Sequence, residues 1–106
     1  MTDPALARLR LDYRSALVGY LSRRGEHQLH SAYELGRSAI NDRVGLLELV
    51  QVHNSVTLDL LRAAGGADRL EIAEAAGAFL VEVLAASDMA QRVFLEGSRP
   101  PEGDQP

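Results

Sequence analysis

One almost uncharged stretch, residues 75–87, constrains the fold of this chain more than any other. It reads AAGAFLVEVLAAS, and Glu82 is its only charged residue. A helix formed here is apolar around nearly its whole circumference, and such a helix is buried on more than one side. A chain of 106 residues has few elements with which to enclose it. We therefore expect one face to pack on the chain's own helices and another to meet a second molecule, with a fully enclosed core helix as the alternative.

The composition favours an all-α domain. Hydrophobic residues make up 46% of the chain and aromatic residues only 5%, while Ala and Leu are abundant. Ala and Leu favour helices, and scarce aromatic residues count against a β-sandwich. The chain has no Cys, which excludes disulfides, thiolate metal sites and a cysteine nucleophile.

Charge and hydropathy narrow the class of partner. Residues 1–43 hold seven Arg against five acids, a net charge of +2, and residues 44–106 hold four Arg against ten acids, a net charge of −6. No concentrated basic face of the kind that binds nucleic acid follows from this distribution. Arg and Asp residues interrupt the first twenty positions, so no signal peptide is predicted. No apolar run approaches the roughly 18 residues of a membrane helix. We expect a cytoplasmic protein with no contact to membrane or nucleic acid.

Four helical patterns separated by short turns span residues 4–96. Pro4, with Thr2 or Asp3 as a cap, begins the first helix, and Gly25 follows its end. The second helix is predicted over 26–41, the third over 46–64, and the fourth from Asp68 to about Glu96, opened by an Asp68/Glu71 capping box. Residues 97–106 are rich in Pro and Gly and are predicted to be a flexible tail or linker. The pattern predicts an antiparallel four-helix bundle that dimerises through its helices.

Apolar stripes at helical spacing indicate the core. Gly36, in the interior of the second helix, costs about 1 kcal/mol relative to Ala, which predicts the close approach of another helix there. The predicted stripes, helix by helix, are Leu6, Leu9, Tyr13, Leu17 and Tyr20; Leu29, Ala32, Tyr33, Gly36 and Ile40; Leu46, Leu49, Val50, His53, Val56, Leu60 and Leu61; and Ile72, Ala76, Phe79, Val83 and Ala90.

No catalytic, cofactor or metal site is predicted. His27 and His30 are three residues apart, but nothing at ligand spacing completes a metal site around them. His53 lies on an apolar stripe and is interpreted as a core histidine hydrogen-bonded to a neighbouring group. No nucleophile with a base and an orienting acid is marked, and no phosphate-binding glycine loop surrounds Gly65. We expect a protein that is not an enzyme and needs no cofactor.

Several blocks, in order, resemble the N-terminal domain of RsbU-type phosphoserine phosphatases over residues 11–96. The specific part of the resemblance is the combination of the block AYELGR at 32–37, His53, and the block FLVEVL at 79–84. It is preceded by Tyr13, Leu17 and Tyr20, and followed by Met89 and Ala90.

The resemblance implies a four-helix homodimer that binds a switch-type serine kinase (RsbT-like) of the general stress response. In the family, that binding activates a C-terminal PP2C-type phosphatase, which dephosphorylates an anti-anti-sigma factor. Carried over by position, the partner groove draws on residues of the second and fourth helices: His30, Tyr33, Glu34, Val81 and Ala85.

The sequence departs from the full family pattern after Glu96, where ten residues are too few for a PP2C-type domain. We therefore expect either part of a longer protein or a free-standing copy of the regulatory domain. Two alternatives stay open. One is a purely structural dimerisation domain, similar in build to the KaiA C-terminal module. The other is a metal or ligand bundle that uses His27, His30 or His53.

Overall fold

The structure is a computed structural model that describes residues 4–98, with the side chains of residues 4–93. Within these residues it has no strand and four α-helices: α1 (Pro4–Ser22), α2 (Glu26–Asn41), α3 (Leu46–Ala63) and α4 (Arg69–Ser98). The all-α prediction is confirmed, whereas the antiparallel order of the bundle and its dimerisation stay predictions. The proposed caps Thr2 and Asp3 and the tail from residue 99 onward lie outside the described residues.

The turns between the helices follow from local sequence. Between α2 and α3, Arg43 adopts the left-handed backbone conformation, with φ 59°. The Val44 amide donates to the Ala39 carbonyl at 2.8 Å and so satisfies one carbonyl of the last turn of α2. At the start of α3, the Glu48 carboxylate accepts a hydrogen bond from the Gly45 amide at 3.1 Å. The helix therefore begins after Gly45, as predicted.

Two predicted boundaries shift by one residue. The third helix ends at Ala63, because Ala64 is already extended with ψ 151°. The fourth begins at Arg69, because Gly66–Asp68 form a 3-10 turn in front of it. Asp68 therefore belongs to this turn, and the predicted capping position before α4 is wrong by one residue.

Aromatic rings from α1 and α4 form the centre of the core. Tyr13 and Phe79 are fully buried, and their rings meet edge to face with centroids 5.2 Å apart. Tyr20 packs on the other side of Phe79, with centroids 6.1 Å apart. Each such pair contributes about 0.5–1.5 kcal/mol beyond the area it buries. The other buried hydrophobic residues of the cluster are Leu9, Leu17, Ala32, Ala39, Leu49, Val52, Val56, Ala75, Ala76 and Val83.

Two residues of the predicted stripes are exposed instead. Ile40 and Leu46 lie at the end of α2 and the start of α3, and both side chains are largely in solvent. The adjacent position Ala39 is buried in α2, and Val52 is buried together with Leu49 in α3. Ala39 is three residues after Gly36, so the face that α2 presents to its neighbour runs through Ala39, and Ile40 is turned away from it.

Gly36 is the point of closest approach between α2 and α4. A Cβ atom added at Gly36 would lie 2.9 Å from the Cβ of Ala86 and closer still to the Val83 carbonyl oxygen. Real Cβ atoms do not reach such distances, so only Gly allows the two backbones to come this near. The predicted role of Gly36 is confirmed.

His53 is held in the core by a hydrogen bond to Tyr13. The Tyr13 hydroxyl lies 2.7 Å from Nδ1 of His53, and the two rings are in an edge-to-face arrangement. Burial lowers the pKa of His53 below its usual 6.5 and raises the pKa of the Tyr13 hydroxyl. A neutral His53 ring with its proton on Nε2 accepts the Tyr13 hydroxyl proton at Nδ1. The interpretation of His53 as a hydrogen-bonded core histidine is confirmed.

Gly36→Ala should destabilise the fold. The added methyl group overpacks the contact with α4, which costs about 1–3 kcal/mol and outweighs the gain of about 1 kcal/mol in helix propensity. Gly77→Ala is the matched control, because Gly77 lies in an exposed part of α4 with nothing within 4 Å of its added Cβ. We expect denaturant unfolding to give a lower free energy of unfolding for the first variant and a higher one for the second. Equal stabilisation by both would contradict the close contact.

Stability should fall as the pH drops through the range about 7 to 5.5, with part of the fall caused by His53. Its folded-state pKa is lowered, so the unfolded chain binds the proton more readily. The stabilisation is therefore full above the unfolded pKa and is lost as the pH falls towards the folded one. In His53→Gln the slope of unfolding free energy against pH should be shallower than in wild type, whereas His27→Gln, on exposed surface, should keep it. An unchanged slope in His53→Gln would argue against this assignment.

Candidate protein-interaction groove

A groove of about 520 Å³ lies between the C-terminal halves of α2 and α4. We call it the α2–α4 groove. It exists because the small residues of the contact, Gly36 and Ala86, bring the helix axes close while longer side chains on either side stand away from each other. Its lining residues are Tyr33, Arg37, Ile40, Asn41, Ala86, Met89, Ala90 and Val93.

The groove combines an apolar floor with a polar rim on one side. Ala86, Met89, Ala90 and Val93 of α4 supply apolar surface, and Met89 and Val93 are at least half exposed. Tyr33, Arg37 and Asn41 of α2 are spaced four residues apart and so line one side of that helix. An exposed apolar patch with a polar rim is typical of a site that binds another protein.

Of the residues predicted on α2, one lines the groove and two lie beside it. Tyr33 is half-buried and forms part of the lining. His30 and Glu34 are exposed, with 3.6 Å between Nε2 of His30 and Oε1 of Glu34. The same Glu34 oxygen is 4.0 Å from Nη1 of Arg37. The three side chains form a charged row along the outer edge of α2.

The residues predicted on α4 lie on one ridge that leads into the groove. Val81 is 66% exposed, whereas Phe79 and Val83, two residues to either side, are fully buried. Ala85 is half-buried. Met89 follows Ala85 by four residues, so Val81, Ala85 and Met89 occupy successive turns on the same side of α4. The structure thus places all five predicted residues on α2 or α4 and brings Tyr33 directly into the groove.

Sequence reasoning missed half of the lining as binding residues. Arg37, Asn41, Met89 and Val93 were not among the predicted partner-binding residues, although each follows a predicted one at a multiple of four. Tyr33, Arg37 and Asn41 continue one row, and Ala85, Met89 and Val93 continue another. Extending both rows by helical spacing would have found them.

The described residues offer no metal site and no membrane-spanning helix. Nowhere in residues 4–93 do three or more His, Asp or Glu side chains come together in a way that could hold a metal ion. His53 is engaged with Tyr13, and His27 and His30 are exposed on α2. Among the described helices, none is both long and apolar enough to cross a membrane.

Comparison with known proteins gives one match. No curated protein and no solved structure matches this chain. A family model described as "Phosphoserine phosphatase RsbU, N-terminal domain" matches residues 11–90, which is well over half of the chain. The matched span includes α2, α3 and the part of α4 that carries Val81, Ala85 and Met89. The chain therefore belongs to the family of RsbU N-terminal domains, regulatory domains of partner-switching phosphatases.

Proposed function

We propose that this chain is a non-catalytic regulatory module that binds a switch-type serine kinase through the α2–α4 groove. The observation that carries the proposal is that the family match and the groove coincide on α2 and α4. In this proposal the module self-associates as a homodimer and acts in the cytoplasm. Kinase binding activates a PP2C-type phosphatase domain that these 106 residues do not include.

The shape and chemistry of the groove support recognition of a helical segment. The groove runs between two helices, and its floor is apolar over the last described turns of α4. An amphipathic helix places its apolar face into such a groove and is read by residues at helical spacing. The ridge of Val81, Ala85 and Met89 has the same spacing, so it presents one contact to the partner on each turn.

The charged row beside the groove supports specificity more than affinity. His30, Glu34 and Arg37 are exposed, and their ion pairs are long, so each contributes about 0–1 kcal/mol to the stability of the fold. Such loosely paired groups can exchange partners without loss to the fold. At the rim of an interface they set orientation and association rate.

Val81→Asp and Ala85→Asp should each abolish kinase binding while the helical content is unchanged. A carboxylate on the ridge must lose its water on docking and finds no described cation in the apolar floor, so we expect a loss of at least about 2 kcal/mol, or about 30-fold in Kd. Binding is measured by calorimetry against each purified switch-type kinase of the source organism, with circular dichroism to monitor helicity.

Leu70→Asp is the matched control, because Leu70 lies on the same helix, is 71% exposed and is remote from the groove. It should bind the kinase as wild type does. If Val81→Asp and Ala85→Asp also retain binding, the groove is misplaced. If wild-type protein binds no such kinase but is a dimer in a light-scattering dilution series, the purely structural dimerisation domain is the better description.

A further inference from the structure

A second apolar surface lies on α1 and α3 and shares no described lining residue with the α2–α4 groove. It contains a groove of about 590 Å³ whose floor is formed by Leu6, Ala7, Leu11 and Val52. Leu11 is 70% exposed and Leu47, four residues before the lining residue Gln51, is 71% exposed. Val18, seven residues after Leu11, continues the same side of α1 and is also exposed. We call this surface the α1–α3 face.

The polar groups of the α1–α3 face are already paired within the chain. The Arg10 guanidinium donates to the Ser55 hydroxyl and to Oδ2 of Asp59, the latter at 3.0 Å. Glu48 accepts from the Gly45 amide at 3.1 Å. Little polar surface is left unsatisfied for an oppositely charged partner to recognise. The α2–α4 groove differs, because the pairs along its edge are 3.6 and 4.0 Å long.

From these observations we infer that the α1–α3 face is the surface through which two copies of this chain associate. The inference rests on the self-association in the proposed function and names its location. A two-fold interface uses the same patch on both subunits, so the patch must be complementary to itself. The α1–α3 face has both parts of such a fit, a ridge at Leu11 and Val18 and a groove beside it that a ridge of the second copy enters.

The size of the face agrees with a stable dimer. Helices of 19 and 18 residues are each about 28 Å long and about 10 Å wide. Side by side they present about 560 Å² in projection, and more as accessible surface because the side chains stand in relief. A stable interface buries about 800 Å² on each partner. The outer side of α4 alone is one helix wide, with about half that projection, which is too little without a second helix.

The absence of Cys allows a direct test by cross-linking. Leu11→Cys and Val18→Cys are single-cysteine variants on the α1–α3 face, and Val81→Cys and Leu70→Cys are the matched exposed positions on α4. Treatment of each with a short bismaleimide should give covalent dimers from the first two and only monomers from the others. This test does not depend on any variant that could unfold the chain.

A dilution series followed by light scattering supplies the second measurement. Wild-type protein should have a molar mass near twice 11.5 kDa, and Leu11→Asp and Leu47→Asp should weaken the dimer at least tenfold while helicity is retained. Val81→Asp and Leu70→Asp should remain dimers. The inference is overturned if the Val81 variants cross-link or dissociate while the Leu11 variants behave as wild type, and self-association itself then stands. A monomeric wild type at every concentration would overturn self-association and this inference together, whereas kinase binding would be judged by its own assay.

Discussion

The contact between α2 and α4 at Gly36 is the constraint on which the rest of the structure depends. Only a residue without a Cβ allows the backbone of α2 to lie against the Val83 carbonyl of α4. Ala32, Ala39 and Ala86 are also small and buried, so the close approach extends along the contact. The helices are then too near for large side chains to fit between them. Tyr33 and Met89 must stand to one side, and the groove that they line is the direct result.

The core on the other side of α4 is built on the opposite principle, with large rings in place of small residues. Tyr13 of α1 reaches Phe79 of α4 through an edge-to-face contact and His53 of α3 through a hydrogen bond. One side chain thus ties three helices together. No residue of residues 4–93 that is classed as buried is charged or polar beyond the tyrosine hydroxyls. The bond from Tyr13 to the half-buried His53 therefore adds direction to a core that is otherwise held by non-directional packing.

Much of this arrangement could be predicted from the sequence, and the failures have a common cause. Gly25, Gly45 and Gly65 punctuate the helical patterns, and this is why the helices were predicted with boundaries correct to within one or two residues. Gly36 and His53 were interpreted correctly because each is out of place in an apolar stripe unless it makes one specific contact. Ile40 and Leu46 were predicted in the core but are exposed. Hydropathy assigns every apolar residue at helical spacing to the core, and only the rotation of each helix in three dimensions decides which of two adjacent apolar positions is buried.

The same limit applied to the candidate site. In α4 nearly every position from 75 to 87 is apolar, so periodicity alone does not separate the buried Val83 from the exposed Val81. The family resemblance supplied that distinction, and the burial pattern agrees with it. The groove itself depends on how far apart α2 and α4 lie, a distance that no single helix encodes. Arg37 and Met89 face each other across it only because Gly36 sets that distance.

The two apolar surfaces are separated by the thickness of the core, and this separation has a physical consequence. A layer of helices is about 10 Å thick, so the α1–α3 face and the α2–α4 groove lie roughly 20 Å apart, with the rings of Tyr13 and Phe79 between them. Substitutions at sites more than about 7–10 Å apart that share no partner act additively to within a few tenths of a kcal/mol. Leu11 and Val81 share none among the described contacts. A small domain of four helices can therefore present one surface to a second copy and another to a different protein without either interaction weakening the other. The doubly apolar α4 is what makes this possible, because its buried side closes the core while its exposed side remains available.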